Sequence, residues 1–99
     1  MITIQDIIDY SKEHYFFTEG RITRIGNKNI EFSIVGGARG LYGDFINDFE
    51  VAIIDNESGG FVTKFFCYDS LDDVIPWMKK EDLETLVNQL LKKEDFQVR

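Results

Sequence analysis

Gly26-Asn27-Lys28-Asn29-Ile30-Glu31-Phe32-Ser33-Ile34-Val35, residues 26–35, decides the fold. From Asn29 onward polar and apolar side chains alternate, which is the period of a strand with two unlike faces. The Gly-Asn-Lys run before it has turn chemistry, and Arg21 to Ile25 supplies a second strand on its other side. An antiparallel hairpin is expected.

Toward the N-terminus, Thr3 and Asp6 form a capping-box pattern, and Ile4, Ile7, Ile8, Ser11 and Tyr15 recur at helical spacing. A helix is expected over about residues 4 to 14. Toward the C-terminus, Gly36-Gly37-Ala38-Arg39-Gly40-Leu41-Tyr42-Gly43 holds no regular element and connects the hairpin to a second pair of strands. The third strand is read from Asn47 to Asp55, with Phe49, Val51 and Ile53 on one face and Asp48, Glu50 and Ala52 on the other. After the loop-forming Asn56-Glu57-Ser58-Gly59-Gly60, a fourth strand is read from Phe61 to Tyr68. Both of its faces are apolar, so its second face is expected to be covered, by the chain itself or by a partner.

Ser70 and Asp73 form a second capping-box pattern, from which a short helix is expected up to Pro76. A long helix then starts near Lys79 or Lys80, with Glu81, Asp82 and Glu84 where the helix dipole favours acids. Leu83, Leu86, Val87, Leu90 and Leu91 form its apolar stripe. The expected class is α+β: a four-stranded antiparallel sheet with an N-terminal helix and a C-terminal short helix plus long helix.

A chain of 99 residues, 43% hydrophobic and with nine Phe, is read as a single domain over 1–99 that folds unaided. Cys67 is the only cysteine, which excludes an intrachain disulfide and fits a reducing compartment. No segment resembles a signal peptide or approaches the roughly 20 apolar residues that span a bilayer. A cytoplasmic protein without a membrane partner is expected.

Catalytic chemistry finds little support. His14 and Cys67 are the only residues of their types, so a zinc cluster is excluded on number, and Cys67 falls on the Phe61 and Phe65 face, where a thiol is ordinarily inert filling. Asp55 to Gly60 has acids at the first and third positions of a calcium loop, but Phe66 stands where its bidentate Glu belongs, so a turn is the better account. Asp69, Asp72 and Asp73 could hold Mg²⁺ through water, but Ser70 and Asp73 are explained more simply as helix-capping groups. Gly37 and Gly40 with Arg39 form a candidate anion loop, although the Lys-Ser/Thr pair of a P-loop is missing. No catalytic residue, metal or cofactor is expected.

Charge is distributed unevenly. Residues 44–84 carry eleven acids against Lys64, Lys79 and Lys80, whereas residues 1–43 are balanced. Such a field repels nucleic acid and anionic membrane and attracts basic protein surfaces over a Debye length of about 10 Å. Asp44, Asp48, Glu50, Asp55, Glu57, Asp69, Asp72 and Asp73 are the candidate partner-binding residues. Carboxylates held on strands imitate a row of phosphates and fit the basic channel of a nucleic-acid enzyme.

In length, acidity, the Asp/Glu-rich hairpin edges of Phe49 to Tyr68 and the terminal unit from Asp72 to Leu91, the chain resembles small acidic α+β inhibitor proteins of phages and mobile elements, of the anti-CRISPR and anti-restriction kind. Those proteins share no signature from which a functional residue carries over, and the neutrality of residues 1–43 departs from the most extreme DNA mimics. The resemblance implies steric and electrostatic blockade of a basic groove, without catalysis. The expected function is therefore a non-enzymatic inhibitor of a nucleic-acid-handling enzyme. Two alternatives stand beside it: a structural or regulatory protein-interaction module that self-associates, as a homodimer, through the second face of strand four (Val62, Phe66, Tyr68), and a binder of a small anion or nucleotide at the Gly36 to Gly43 loop.

Overall fold

The computed structural model describes residues 1–66 and 73–99. Along the chain lie α1 (Ile4–Asp9), β1 (Lys12–Glu13), β2 (Arg21–Gly26), β3 (Ile30–Gly36), β4 (Asp48–Asp55), α2 (Thr63–Phe66), β5 (Ile75–Lys79), α3 (Lys80–Leu90) and β6 (Gln97–Val98). The class is α+β. Every strand pair is antiparallel, in the order β1-β2-β3-β4-β5, with β6 also on β2.

The hairpin of β2 and β3 forms where the sequence places it. Asn27 Oδ1 accepts the amides of Asn29 and Ile30 at 2.8 and 2.9 Å, a side-chain substitute for a backbone turn. Gly26 is required there, because a Cβ would sit 2.3 Å from the Ile30 carbonyl oxygen. Alternation then sorts the faces. Thr23, Ile25, Phe32, Ile34, Phe49, Val51, Ile53 and Ile75 are buried on one side of the sheet. Ile7 of α1 and Leu83, Leu86 and Val87 of α3 join the same core. Complete burial of Phe32 and Phe49 stabilises the fold by about 1.5–3 kcal/mol each.

The capping box of Thr3 and Asp6 is formed, and Lys80–Leu90 reproduces the expected long helix. The first helix is shorter than expected. It ends at Asp9 because Ser11 and the residues after it turn into β1, where the Arg21 guanidinium holds the Ser11 carbonyl and hydroxyl at 2.8–3.1 Å. His14 therefore lies in the β1–β2 loop, with Nδ1 accepting the Phe16 and Phe17 amides, and not at a helix end.

The larger correction concerns strand four. Among the described residues of that segment, Phe61 alone makes an isolated bridge, to Ile54, and the Val62 amide donates to the Ile53 carbonyl. At the next ladder position the Thr63 hydroxyl replaces the backbone, accepting the Ile53 amide at 2.9 Å and donating to the Asp73 carbonyl at 2.7 Å. Freed from the ladder, Thr63–Phe66 closes into a helical turn. The edge of β4 passes instead to Ile75–Lys79, a strand where the short helix was expected to end. Pro76 is tolerated because β5 is the last strand of the sheet and Pro76 sits at a bulge. Among the described residues the sheet thus has six strands and not four. Cys67, Tyr68, Asp69, Ser70, Leu71 and Asp72, on which parts of strand four and the short helix were placed, lie outside the described residues.

Candidate functional site

The 11-residue connection between β3 and β4, residues 37–47, is where most of the chain's unusual chemistry gathers. It closes on itself: Gly37 donates to the Gly43 carbonyl at 2.9 Å and Leu41 to that of Ala38 at 3.1 Å. Gly43 passes so close to β4 that a Cβ would lie 2.7 Å from the Phe49 Cα. Phe45 turns into the core against Phe49, its ring 5.1 Å away in a T-shaped contact.

Three of the predicted carboxylates organise this loop. Asp44 Oδ1 accepts the amides of Asn47, Ile46 and Asp48 at 2.7, 2.8 and 3.2 Å. The Asn47 amide above all, with those of Ile46 and Asp48, holds the Asp44 carboxyl at about 2, against an ordinary 3.8. Asp48 Oδ1 in turn accepts the Asp44 amide at 2.8 Å, and Glu50 Oε1 accepts that of Tyr42 at 3.1 Å. These anions are fixed by backbone donors.

Asp55 and Glu57 lie at the other end of β4, about 23 Å from Asp48 at roughly 3.3 Å per residue. Ser58, through its hydroxyl and then its amide, keeps the Asp55 carboxyl below its ordinary value. Its Oδ2 accepts the Ser58 amide at 2.9 Å, and the Gly59 amide donates to the Asp55 carbonyl. The calcium-like run is a turn. Asp73 is exposed and contributes its carbonyl to Thr63, while Asp69 and Asp72 lie outside the described residues. Asp44, Asp48, Glu50, Asp55 and Glu57 therefore form two groups, one around the β3–β4 loop and one at the far turn.

Both ion pairs among the described residues fall on Glu31, which is 7% exposed. Arg24 meets one oxygen, and Arg99 Nε lies 3.3 Å from the other. Arg99 also donates its amide to the Arg24 carbonyl and Nη2 to that of Asn27, both at 2.8 Å, which pins β6 along β2. No ion pair neutralises Asp44, Asp48, Glu50, Asp55 or Glu57 among the described residues.

The other candidates fare differently. Arg39 is exposed on the glycine loop, but the amides of Gly37, Leu41, Tyr42 and Gly43 already have acceptors within the chain. With Gly37 and Gly40 it presents little of the amide cradle an anion needs. Val62, Phe66 and Tyr68 do not line one strand face, because the segment turns at Thr63; Val62 packs against the core, Phe66 is exposed, and Tyr68 is among the undescribed residues. No group of three or more metal-ligating side chains occurs among the described residues, and none of their helices is long and apolar enough to cross a membrane.

Two features escaped the sequence reading. Tyr15 and Phe16 project from the β1–β2 loop beside a basin of about 320 Å³ on the sheet face opposite the core, where Ile22, Val35 and Ala52 lie. Tyr42 and Trp77 meet at the β5 edge with centroids 4.8 Å apart and ring planes inclined by 51°, both about half exposed. The one signal for the second was the chain's single tryptophan, two residues after the strand-forming Val74-Ile75 pair. No protein-family model, curated protein or solved structure matches this chain.

Proposed function

We propose that the chain is a non-enzymatic binding protein that inhibits a nucleic-acid-handling enzyme by occupying its basic groove, in the manner of phage counter-defence proteins, and that it acts in the cytoplasm. The observation that supports this reading is the state of its anions. Asp44, Asp48, Glu50 and Asp55 are held by backbone amides and are not paired with lysine or arginine. A carboxylate fixed by neutral donors keeps its whole charge, and its side-chain entropy is already reduced before a partner arrives. A mobile, solvated carboxylate offers neither advantage. The two acidic groups, about 23 Å apart along β4, suit a long groove better than a point contact.

The direct test is competition. Duplex DNA added to the complex of this protein with its captured enzyme should displace the protein, and the protein should lower the enzyme's affinity for DNA to the same degree, as linkage requires. Simultaneous binding of protein and DNA would contradict groove occupancy.

A further inference from the structure

We propose that Tyr42, Trp77 and Glu50 form a seat for one arginine side chain of a basic partner. The inference rests on the proposed basic partner and specifies how one residue of that partner is recognised. Trp77 is the chain's only tryptophan, and it stands 56% exposed on the last strand of the sheet. Its backbone φ is 50°, a left-handed conformation that bulky residues rarely adopt. The cause is a bulge. Pairing passes from Phe49 with Met78 to Val51 with Ile75, so Pro76 and Trp77 together stand against Glu50. A bulge re-aims its side chain, and this one brings the indole against Tyr42 instead of into the core.

Two hydrogen bonds tie the three groups together. The Trp77 amide donates to the Tyr42 carbonyl at 3.0 Å, and the Tyr42 amide donates to Glu50 Oε1 at 3.1 Å. The other Glu50 oxygen accepts no hydrogen bond among the described residues. Indole and phenol faces attract cations, and a planar guanidinium can stack on a ring while its edge donates to a carboxylate. Ammonium lacks that plane. Asp44 in the same loop and Asp48 at the start of β4, joined by a hydrogen bond and without cationic partners among the described residues, add attraction for the same charge.

Trp77 reports on its own site. Its fluorescence is followed while the protein is titrated at low salt with a short all-arginine peptide or an all-lysine peptide of equal length, with affinities taken from calorimetry. The arginine peptide should shift and quench Trp77 emission and bind about 5-fold or more tightly than the lysine peptide. Tyr42→Leu and Glu50→Gln should each erase that preference. Equal affinities with unchanged emission would overturn the seat and leave the acidic-surface reading standing. An arginine preference that survives Asp48→Asn with Asp55→Asn but disappears in Tyr42→Leu would keep the seat and count against the wider surface. Absence of binding by both peptides would overturn both.

Discussion

Asp44 shows what one side chain contributes here. It accepts three amides in a loop that has no regular secondary structure, so its ionised form is part of what shapes residues 44–48. Its folded value, about 2, lies below the ordinary 3.8. A depressed carboxyl contributes stability that is present above the unfolded value and is lost as pH falls from 3.8 through about 2. Asp55 and Asp6, also lowered, act in the same direction. Denaturant midpoints measured across that window should fall steeply for the parent and less steeply for Asp44→Asn, which keeps an acceptor oxygen but cannot titrate. Parallel curves would show that Asp44 is not tied to the loop. The acidity of this residue was plain in the sequence. Its structural duty was not, because an acceptor of three local amides is defined by backbone directions that spacing alone does not give.

Among the elements, the ones legible in the sequence are those whose signal is local. Asn27 and Gly26 fix the hairpin, Thr3 and Asp6 start α1, and the five apolar residues from Leu83 to Leu91 mark α3. Those misread depend on distant partners. Phe61 to Phe66 has strand composition, yet the edge of β4 can be occupied only once at each position, and Ile75 and Met78 take its first half. Asn88 was equally invisible: from α3 it holds both the amide and the carbonyl of Ile2, at 2.8 and 2.7 Å. Thr63 is the residue on which the divided edge turns. Thr63→Val keeps the shape but leaves the Ile53 amide and the Asp73 carbonyl without the hydroxyl, a loss of about 1–3 kcal/mol. Thr63→Ser keeps the hydroxyl and should cost about 1 kcal/mol, the loss of one buried methyl. Urea unfolding distinguishes them, and equal stability of Thr63→Val and the parent would show that the hydroxyl does not hold the edge.

At the scale of the whole molecule, the eleven acids of residues 44–84 carry most of the negative charge, and their number alone does not say whether they form one patch. The fold places Asp44, Asp48 and Glu50 around the β3–β4 loop and Asp55 and Glu57 at the far turn, and the only ion-paired carboxylate among the described residues, Glu31, between Arg24 and Arg99. The candidate acids were legible because charge is counted residue by residue. Their grouping was not, since the 11-residue loop closes on itself through the Gly37 amide and the Gly43 carbonyl and lies against β4 where Gly43 meets Phe49. The aromatic pair at the β5 edge was hidden for the same reason: Tyr42 and Trp77 are 35 positions apart and meet only because β5 lies beside β4. The account stands on fixed, unneutralised carboxylates driving attachment to a basic surface. Its most direct test is the salt dependence of partner binding in the parent and in a variant carrying Asp48→Asn, Glu50→Gln and Asp55→Asn, which keeps acceptor oxygens while removing charge. The parent's affinity should fall steeply as salt rises, and the variant should bind at least about 10-fold more weakly at low salt with a shallower slope. Equal affinities and equal slopes in the two proteins would contradict the account.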